Sequence, residues 1–436
     1  MHVVAPCRKP RPGLIGATSW PPCGRMKFIP HDQAGHQVLR QDQKESPMPP
    51  KAFIEPAALA EISSPALIFF HERIEANMAA MLALVGGDPS RLRPHVKTHK
   101  CGAIIRRWSA LGVGKHKCAT VREAEVLATF GATDIMLAFP CVGPSARALA
   151  RLAARWPSVR FSTIGADPVI LRDLSAAAAA AGCRIGVFIE MDVGHGRTGT
   201  TDLAVGIALG RQVTSDPNLE LRGLHGYDGH LGSVSAEERQ GKASEVRQKL
   251  AGWKEALHSE GLGVEALVLA GSPSFPHHAK ALQPGMELSA GTVVLHDTGY
   301  GKHAELADFV PAVAILTRVI DHPGNNRVTF DCGSKAIACD QPAGSRLTLQ
   351  GLEGAKSVIH NEEHLVVECA DVDRWPIGTA TLAWPSHACP TCAWHDEAIV
   401  INGAGRVEAV WPIEARGRGP RLDPVLAPAG VSSRLT

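Results

Sequence analysis

The feature that most constrains this chain is an alternation that begins near Arg91. Short β-branched or apolar runs recur every twenty to forty residues or so, separated by alanine-rich and charged stretches of helical character. Eight runs read as strands: LRPHV (92–96), GVGKHKCA (112–119), DIMLAF (134–139), VRFSTI (159–164), RIGVFIEM (184–191), LRGLHGY (221–227), EALVLAG (265–271) and GTVVLHD (291–297). Between them, VREAEVLATFGA and PSARALARLAARW have the alanine, leucine, arginine and glutamate content of helices packed on one face, and the alanine run at 176–181 reads as a helix interior. Eight alternations predict an α/β fold, a (β/α)8 TIM-like barrel. After Pro311 the pattern changes to shorter runs rich in valine and isoleucine, AVAILTRVI, RVTFDCG, HLVVECA and RVEAVWPI, punctuated by turn residues. The expected organisation is a barrel over 51–310 and a smaller C-terminal β domain over 311–436. The proline-rich stretch 1–50 is expected to be a disordered extension, with Met26 or Met48 as an alternative start.

Composition narrows the partners. With 45 Lys and Arg against 43 Asp and Glu, the net charge of +2 offers no electrostatic case for nucleic acid or an anionic membrane. The longest apolar stretches fall short of the ~20 residues that span a bilayer. The 11 cysteines are scattered and odd in number, which argues against a secreted disulfide framework and for the cytoplasm. A small-molecule ligand remains the better expectation.

The densest cluster of reactive side chains is RPHVKTHK (93–100), at the C-terminal end of the first strand. In a (β/α)8 barrel that end is the catalytic face. Lys97 there can form a Schiff base with an aldehyde cofactor, and Arg93 and Lys100 would help keep its amine unprotonated. The competing reading is a solvated basic loop. In EMDVGHGRTG, Glu190 and Asp192 end a strand and a glycine-punctuated loop presents His195 and Arg197, where Arg197 either reaches a ligand or pairs with Asp192. AGSPSF brings small residues after another strand, so Gly271, Ser272 and Ser274 can approach a phosphate, with Gly291 and Thr292 completing the cradle. Taken alone, such a segment is more often an ordinary turn. Tyr227 lies among His225, Asp228 and His230, where its phenol either contacts a cofactor or is simply half-buried. In PSHACPTC, His387 and Cys389 are two apart, so an extended segment would turn both to one side to bind a metal, with zinc favoured by thiolate plus imidazole. Cys392 and His395 leave open a closed structural site of up to four ligands.

RPHVKTHK resembles the cofactor-lysine motif of the D-serine dehydratase and D-threonine aldolase family, fold type III pyridoxal-phosphate enzymes with an alanine-racemase-like barrel. Further matches follow in order: SPALIFF at Ser64, CATVREAE at Cys118, EMDVGHGRTG at Glu190, GLHGYDGH at Gly223, AGSPSF at Ala270, ELSAGTVVLHD at Glu287, DCGSKA at Asp331 and PSHACPT at Pro385. They span 64 to about 415. The resemblance implies that Lys97 binds pyridoxal 5'-phosphate, that Arg197 approaches its ring nitrogen, and that His387 and Cys389 hold a catalytic Zn2+ with open positions. Two departures stand out: Pro273 where the family has a richer glycine run, and Asp228 where histidine commonly follows the tyrosine. Similar D-threonine aldolases tend to have aspartate at the position of Cys389, whereas the zinc-dependent dehydratases tend to have cysteine. The resemblance thus implies a lyase of the D-serine dehydratase type, giving a 2-oxo acid and ammonia, and a homodimer. The alternatives are a D-threonine aldolase giving glycine and an aldehyde, and a non-catalytic pyridoxal-phosphate-binding protein.

Overall fold

The computed structural model describes residues 50–419. The expected extension, save Pro50, and both alternative starts lie outside them. The nine cysteines in this range are free thiols, and no helix among the described residues is long and apolar enough to cross a membrane.

Seven parallel strands, β2 (Lys115–Cys118), β3 (Asp134–Leu137), β4 (Arg160–Gly165), β5 (Ile185–Glu190), β6 (Leu219–Gly226), β7 (Ala266–Leu269) and β8 (Met286–Leu288), run side by side in chain order. Helices return the chain between most of them. Thr120 caps the helix Val121–Thr129 by accepting from the Glu123 N–H, and Gly182, left-handed at φ 66°, ends the helix Pro168–Ala181. The alanine run lies in a helix, and the two helical segments read from the sequence form the helices Val121–Thr129 and Pro144–Arg155, which end three residues and one residue short of them.

The curled sheet is closed by the eighth stave, residues 92–96, without a regular strand. Leu92 bridges Leu288 at one edge and His95 bridges Lys117 at the other, with Arg93 N–H donating to Leu288 O and Lys117 N–H to Pro94 O. Pro94 has no N–H for a continuous ladder. The run GTVVLHD is not a strand. Thr292–Val294 forms a 3-10 turn, and the barrel strand is the preceding Met286–Leu288. A Cβ on Gly291 would lie 2.4 Å from His95 O, so the chain crosses the closing stave where only glycine fits.

The second layer is a mostly antiparallel sheet of β1 (Ala66–Phe70), β9 (Val313–Asp321), β10 (Arg327–Phe330), β11 (Leu347–Leu349), β12 (Lys356–His360), β13 (Leu365–Glu368), β14 (Ala380–Pro385), β15 (Glu397–Ile401) and β16 (Val407–Pro412). All four valine- and isoleucine-rich runs contribute strands. A division at 310/311 misassigns β1, which lies between β9 and β15 inside this sheet, antiparallel to one and parallel to the other. Its five residues alternate between two packed faces, so Leu67 and Phe69 join the main core while Ile68 and Phe70 join a second cluster with Trp384.

Candidate active site

Inward-facing residues recur every second position along a strand, so they fall into levels inside the barrel. Arg93, Lys115, Asp134, Arg222 and Glu287 form the lowest level. Arg93 is fully buried and donates to Asp134 at 2.7 Å and Glu287 at 2.6 Å. Lys115 reaches Glu287 at 2.5 Å, and Arg222 and Arg160 reach Asp134 at 3.0 and 2.9 Å. Burial alone would raise the Asp134 carboxyl, but the surrounding guanidiniums hold it at about 2. Above this network Met136, Ile164, Phe188, Ala266 and Val268 pack as a small apolar cluster, with the Arg93 guanidinium 5.6 Å from the Phe188 ring centroid. The next level, at the C-terminal end of the strands, holds the site.

Tyr227, just past the end of β6, is its platform. Lys97 Nζ lies 5.7 Å from the ring centroid, Lys117 Nζ 5.5 Å and the Arg197 guanidinium carbon 4.7 Å. His195 meets the ring edge-on at 5.5 Å. Gly229 lets the ring lie there, since a Cβ at that position would come within 2.5 Å of it. Lys97 itself is half-buried.

The two cations expected to act on Lys97 do not. Arg93 is spent in the lowest level, and Lys100 pairs with buried Glu123. Lys117 and Arg197 take that position instead. The alternative partner of Arg197 is also occupied: the Asp192 carboxylate accepts from the N–H groups of Gly194, His195 and Gly196 at 2.8–3.1 Å. Gly194 and Gly196 take positive φ to turn those groups inward.

The segment 270–275 is buried beside the platform. Asp228 clamps it, accepting from Gly271 N–H at 2.6 Å while hydrogen-bonding His278 at 2.7 Å. Burial would raise this carboxyl, but His278, Ser274 and the Gly271 N–H hold it below the usual range. The departure at Asp228 therefore has a structural use. Ser274 Oγ turns back onto Gly271 O at 3.2 Å, and buried Ser272 flanks it. Thr292 points elsewhere, to Thr98 Oγ1 at 3.3 Å and Cys389 Sγ at 3.7 Å. Those contacts tie Cys389 to the stave that carries Lys97, as does Thr98 Oγ1 to Cys389 Sγ at 3.2 Å.

His387 and Cys389 are not brought together by an extended strand. His387, still extended, is the N-terminal cap residue of the helix Ala388–Trp394, and Cys389 is in its first turn. Against the effect of burial, Cys389 and Asp340 raise the imidazole to about 9, while His387, Lys97 and Thr98 lower the thiol. Each group thus favours the charged form of the other. Asp340 Oδ2 holds His387 Nδ1 at 2.5 Å, which leaves Nε2 as the ring nitrogen for a metal. Beneath them Asp297 Oδ2 accepts from the Ala388 N–H at 2.9 Å, and burial raises Asp297 to about 6.

The closed four-ligand site does not form. Cys392 is buried in the helix and His395 Nε2 is bonded to Ala336 O at 2.8 Å. Among the described residues no group of three or more histidine, cysteine and acidic side chains is placed to hold a metal ion. Two protein ligands, one soft and one imidazole, fit a zinc with open positions. The platform fits an aldehyde cofactor bearing a phosphate: a lysine amine at its edge, an excess of cations, and a buried turn of small residues. His225 Nδ1 faces Glu190 Oε1 at 3.5 Å, while His225 Nε2 and Glu190 Oε2, both buried, have no hydrogen-bond partner. Lys117, Thr98, Asp340 and Asp297 were not read from the sequence as site residues.

Two family models match. The putative serine dehydratase domain covers 312–401 and the alanine racemase N-terminal domain covers 71–294. The chain is 32% identical to a D-threonine aldolase of an Arthrobacter species, over 82% of this chain and 94% of the relative. It is 30% identical to a 3-hydroxy-D-aspartate aldolase of Paracoccus denitrificans, over 83% and 94%. Identity is 28% to a D-threo-3-hydroxyaspartate dehydratase of a Delftia species, over 80% and 97%. Among solved structures, D-threonine aldolase from Filomicrobium marinum superposes with a TM-score of 0.76 at 31% identity, over 83% of this chain and 97% of that one. A cysteine-to-alanine variant of D-threo-3-hydroxyaspartate dehydratase in its metal-free form gives 0.72 at 25%, over 83% and 99%.

Proposed function

The chain belongs to the D-serine dehydratase and D-threonine aldolase family of fold type III pyridoxal-phosphate enzymes, and on that premise we propose that it is a zinc-dependent dehydratase of D-hydroxy-amino acids. Membership makes it a lyase of that substrate class. The finer reading rests on one observation, the Cys389 thiol beside His387, with Asp340 behind the imidazole and Lys97 at the facing edge of the site.

Lys97 would hold the cofactor, Arg197 would face its ring nitrogen, Tyr227 would support the ring, and Gly271, Ser272, Ser274, Gly291 and Thr292 lie in the segments that would enclose the phosphate. Bound pyridoxal phosphate supplies an aldehyde carbon for the substrate amine and a ring that withdraws electron density from Cα. His387 Nε2 and Cys389 Sγ would hold zinc, whose chemistry there is Lewis acidity toward a β-hydroxyl. Lys97 would also serve as the base, its amine placed to take the proton from Cα of the bound substrate. The β-hydroxyl would leave as that proton is lost, and hydrolysis of the released product would give a 2-oxo acid and ammonia. Asp340 fixes the imidazole tautomer throughout. A cytoplasmic homodimer is part of the same proposal.

A second reading, the aldolase, is favoured by identity, 32% and 30% to the aldolases against 28% to the dehydratase. Products separate the two. Incubated with D-serine or 3-hydroxy-D-aspartate, the holoenzyme should release 2-oxo acid and ammonia, lose that activity to EDTA while keeping its cofactor absorbance, and regain it with zinc. Faster release of glycine from D-threonine than of ammonia from D-serine would assign the aldolase.

A further inference from the structure

Four lysine and arginine side chains are almost wholly buried among the described residues: Arg93, Lys117, Arg222 and Arg239. Three face carboxylates, Arg93 with Asp134 and Glu287, Arg222 with Asp134, and Arg239 with Glu305. Lys117 differs. Its amine donates to the Ser289 hydroxyl, and no carboxylate oxygen of the described residues lies within ion-pair distance of it. A buried ammonium without a counter-ion is costly, so the group either sheds its proton or meets an anion from outside the chain. Burial, reinforced by Lys97, brings it to about 7. Arg197 adds repulsion, while Asp228 and Glu190 oppose it. Of the other titratable neighbours, the Tyr227 phenol ring lies 5.5 Å away, and His95 and His225 are both pushed toward the neutral form by burial.

Position identifies the anion. Lys117 is on the stave next to Lys97, paired to it through the His95 bridge, and the two amines are 5.5 and 5.7 Å from the same ring centroid. In pyridoxal the phenolic oxygen sits on the ring carbon adjacent to the one bearing the aldehyde. The other neighbour of that carbon bears the phosphate arm, and the segments proposed to enclose the phosphate follow β7 and β8, on the far side of the Lys97 stave from β2, so an amine on β2 is set on the side of the phenolic oxygen. We propose that Lys117 is a second cofactor-contacting residue, its amine set against the phenolic oxygen of pyridoxal phosphate next to the carbon that Lys97 holds. This rests on the reading of Lys97 as the cofactor lysine.

The test uses holoenzyme without substrate. Lys117→Met should weaken pyridoxal phosphate binding about tenfold, the scale of one charge-assisted hydrogen bond. The pH midpoint of the visible cofactor band should rise by about one unit, because a group favouring the ionised oxygen is gone. Lys117→Arg should restore part of both. Should the methionine variant not fold, Lys117→Gln is read the same way. Unchanged cofactor affinity and midpoint with a raised KM would assign the amine to the substrate carboxylate and overturn the proposal. A change in Tm alone would make Lys117 a structural residue and overturn it equally. Borohydride labelling of Lys117 instead of Lys97 would overturn both this inference and the reading beneath it, as would failure of the wild type to take up cofactor. Label on Lys97 with an unaltered Lys117→Met spectrum overturns this inference only.

Discussion

The two ends of the barrel are built from the same residue types to opposite effect. At the N-terminal end Arg93, Arg222 and Lys115 are matched by Asp134 and Glu287. At the C-terminal end Lys97, Lys117 and Arg197 crowd one tyrosine, and no ion pair with a carboxylate of the described residues is seen for any of them. A layer of apolar side chains separates the two levels. A cation neutralised within the chain closes the barrel, whereas one left unmatched is available to a ligand. The neutralised end should therefore govern stability and the unmatched end chemistry.

The sharpest way to break this contrast is at Lys97. Lys97→Ala should reduce turnover to background, leave the melting temperature near wild type, and remove the borohydride-fixed cofactor from the peptide that contains it. A large loss of stability with residual activity would erase the distinction. At the opposite end, Asp134→Asn leaves Arg93 and Arg222 short of a partner and should cost about 3–5 kcal/mol in denaturant unfolding, with turnover per folded molecule retained. The acid limb tests the same residue. Because Asp134 is held at about 2 against an ordinary 3.8, its contribution is complete above about pH 5 and is lost as pH falls through 2. The variant should therefore show a flatter decline in stability over that window. Arg197→Ala should fold, bind cofactor and turn over about tenfold more slowly, and wild-type kinetics would remove Arg197 from the site. The smallest effect is expected at Cys392→Ala, about 1 kcal/mol of packing with metal content unchanged, whereas Cys389→Ala should lose the metal. Equal metal loss from both would point to a structural zinc.

What was legible in the sequence followed from local periodicity. The helices Val121–Thr129, Pro144–Arg155 and Pro168–Ala181 and strands β2 to β7 coincide with or lie close to runs read from it, because strand–helix alternation is written residue by residue. The closing stave was legible as a stave, but its broken pairing turns on Pro94. GTVVLHD misled because β-branched residues suggest a strand, while contact with His95 bends that segment into a 3-10 turn. The partners of Arg93 and Lys100 lie tens to hundreds of residues away, so adjacency to Lys97 gave the wrong cations. Lys117 did carry a signal: in KHKC the alternation that points Lys115 inward does the same for Lys117. Asp340 carried none, since only the tertiary fold brings it to His387.

The placement of β1 bears on how the chain can be made and cut. It is synthesised first, yet it pairs with β9 and, ~330 residues downstream, with β15. The second layer is therefore incomplete until nearly the whole chain has emerged, and a fragment beginning at 311 would present two unpaired edges where Ala66–Phe70 belongs. The helix carrying His387 and Cys389 follows β14 in that layer, so the metal pair cannot be moved to another barrel as a C-terminal module alone. Any transplant must also bring the strand from the start of the chain.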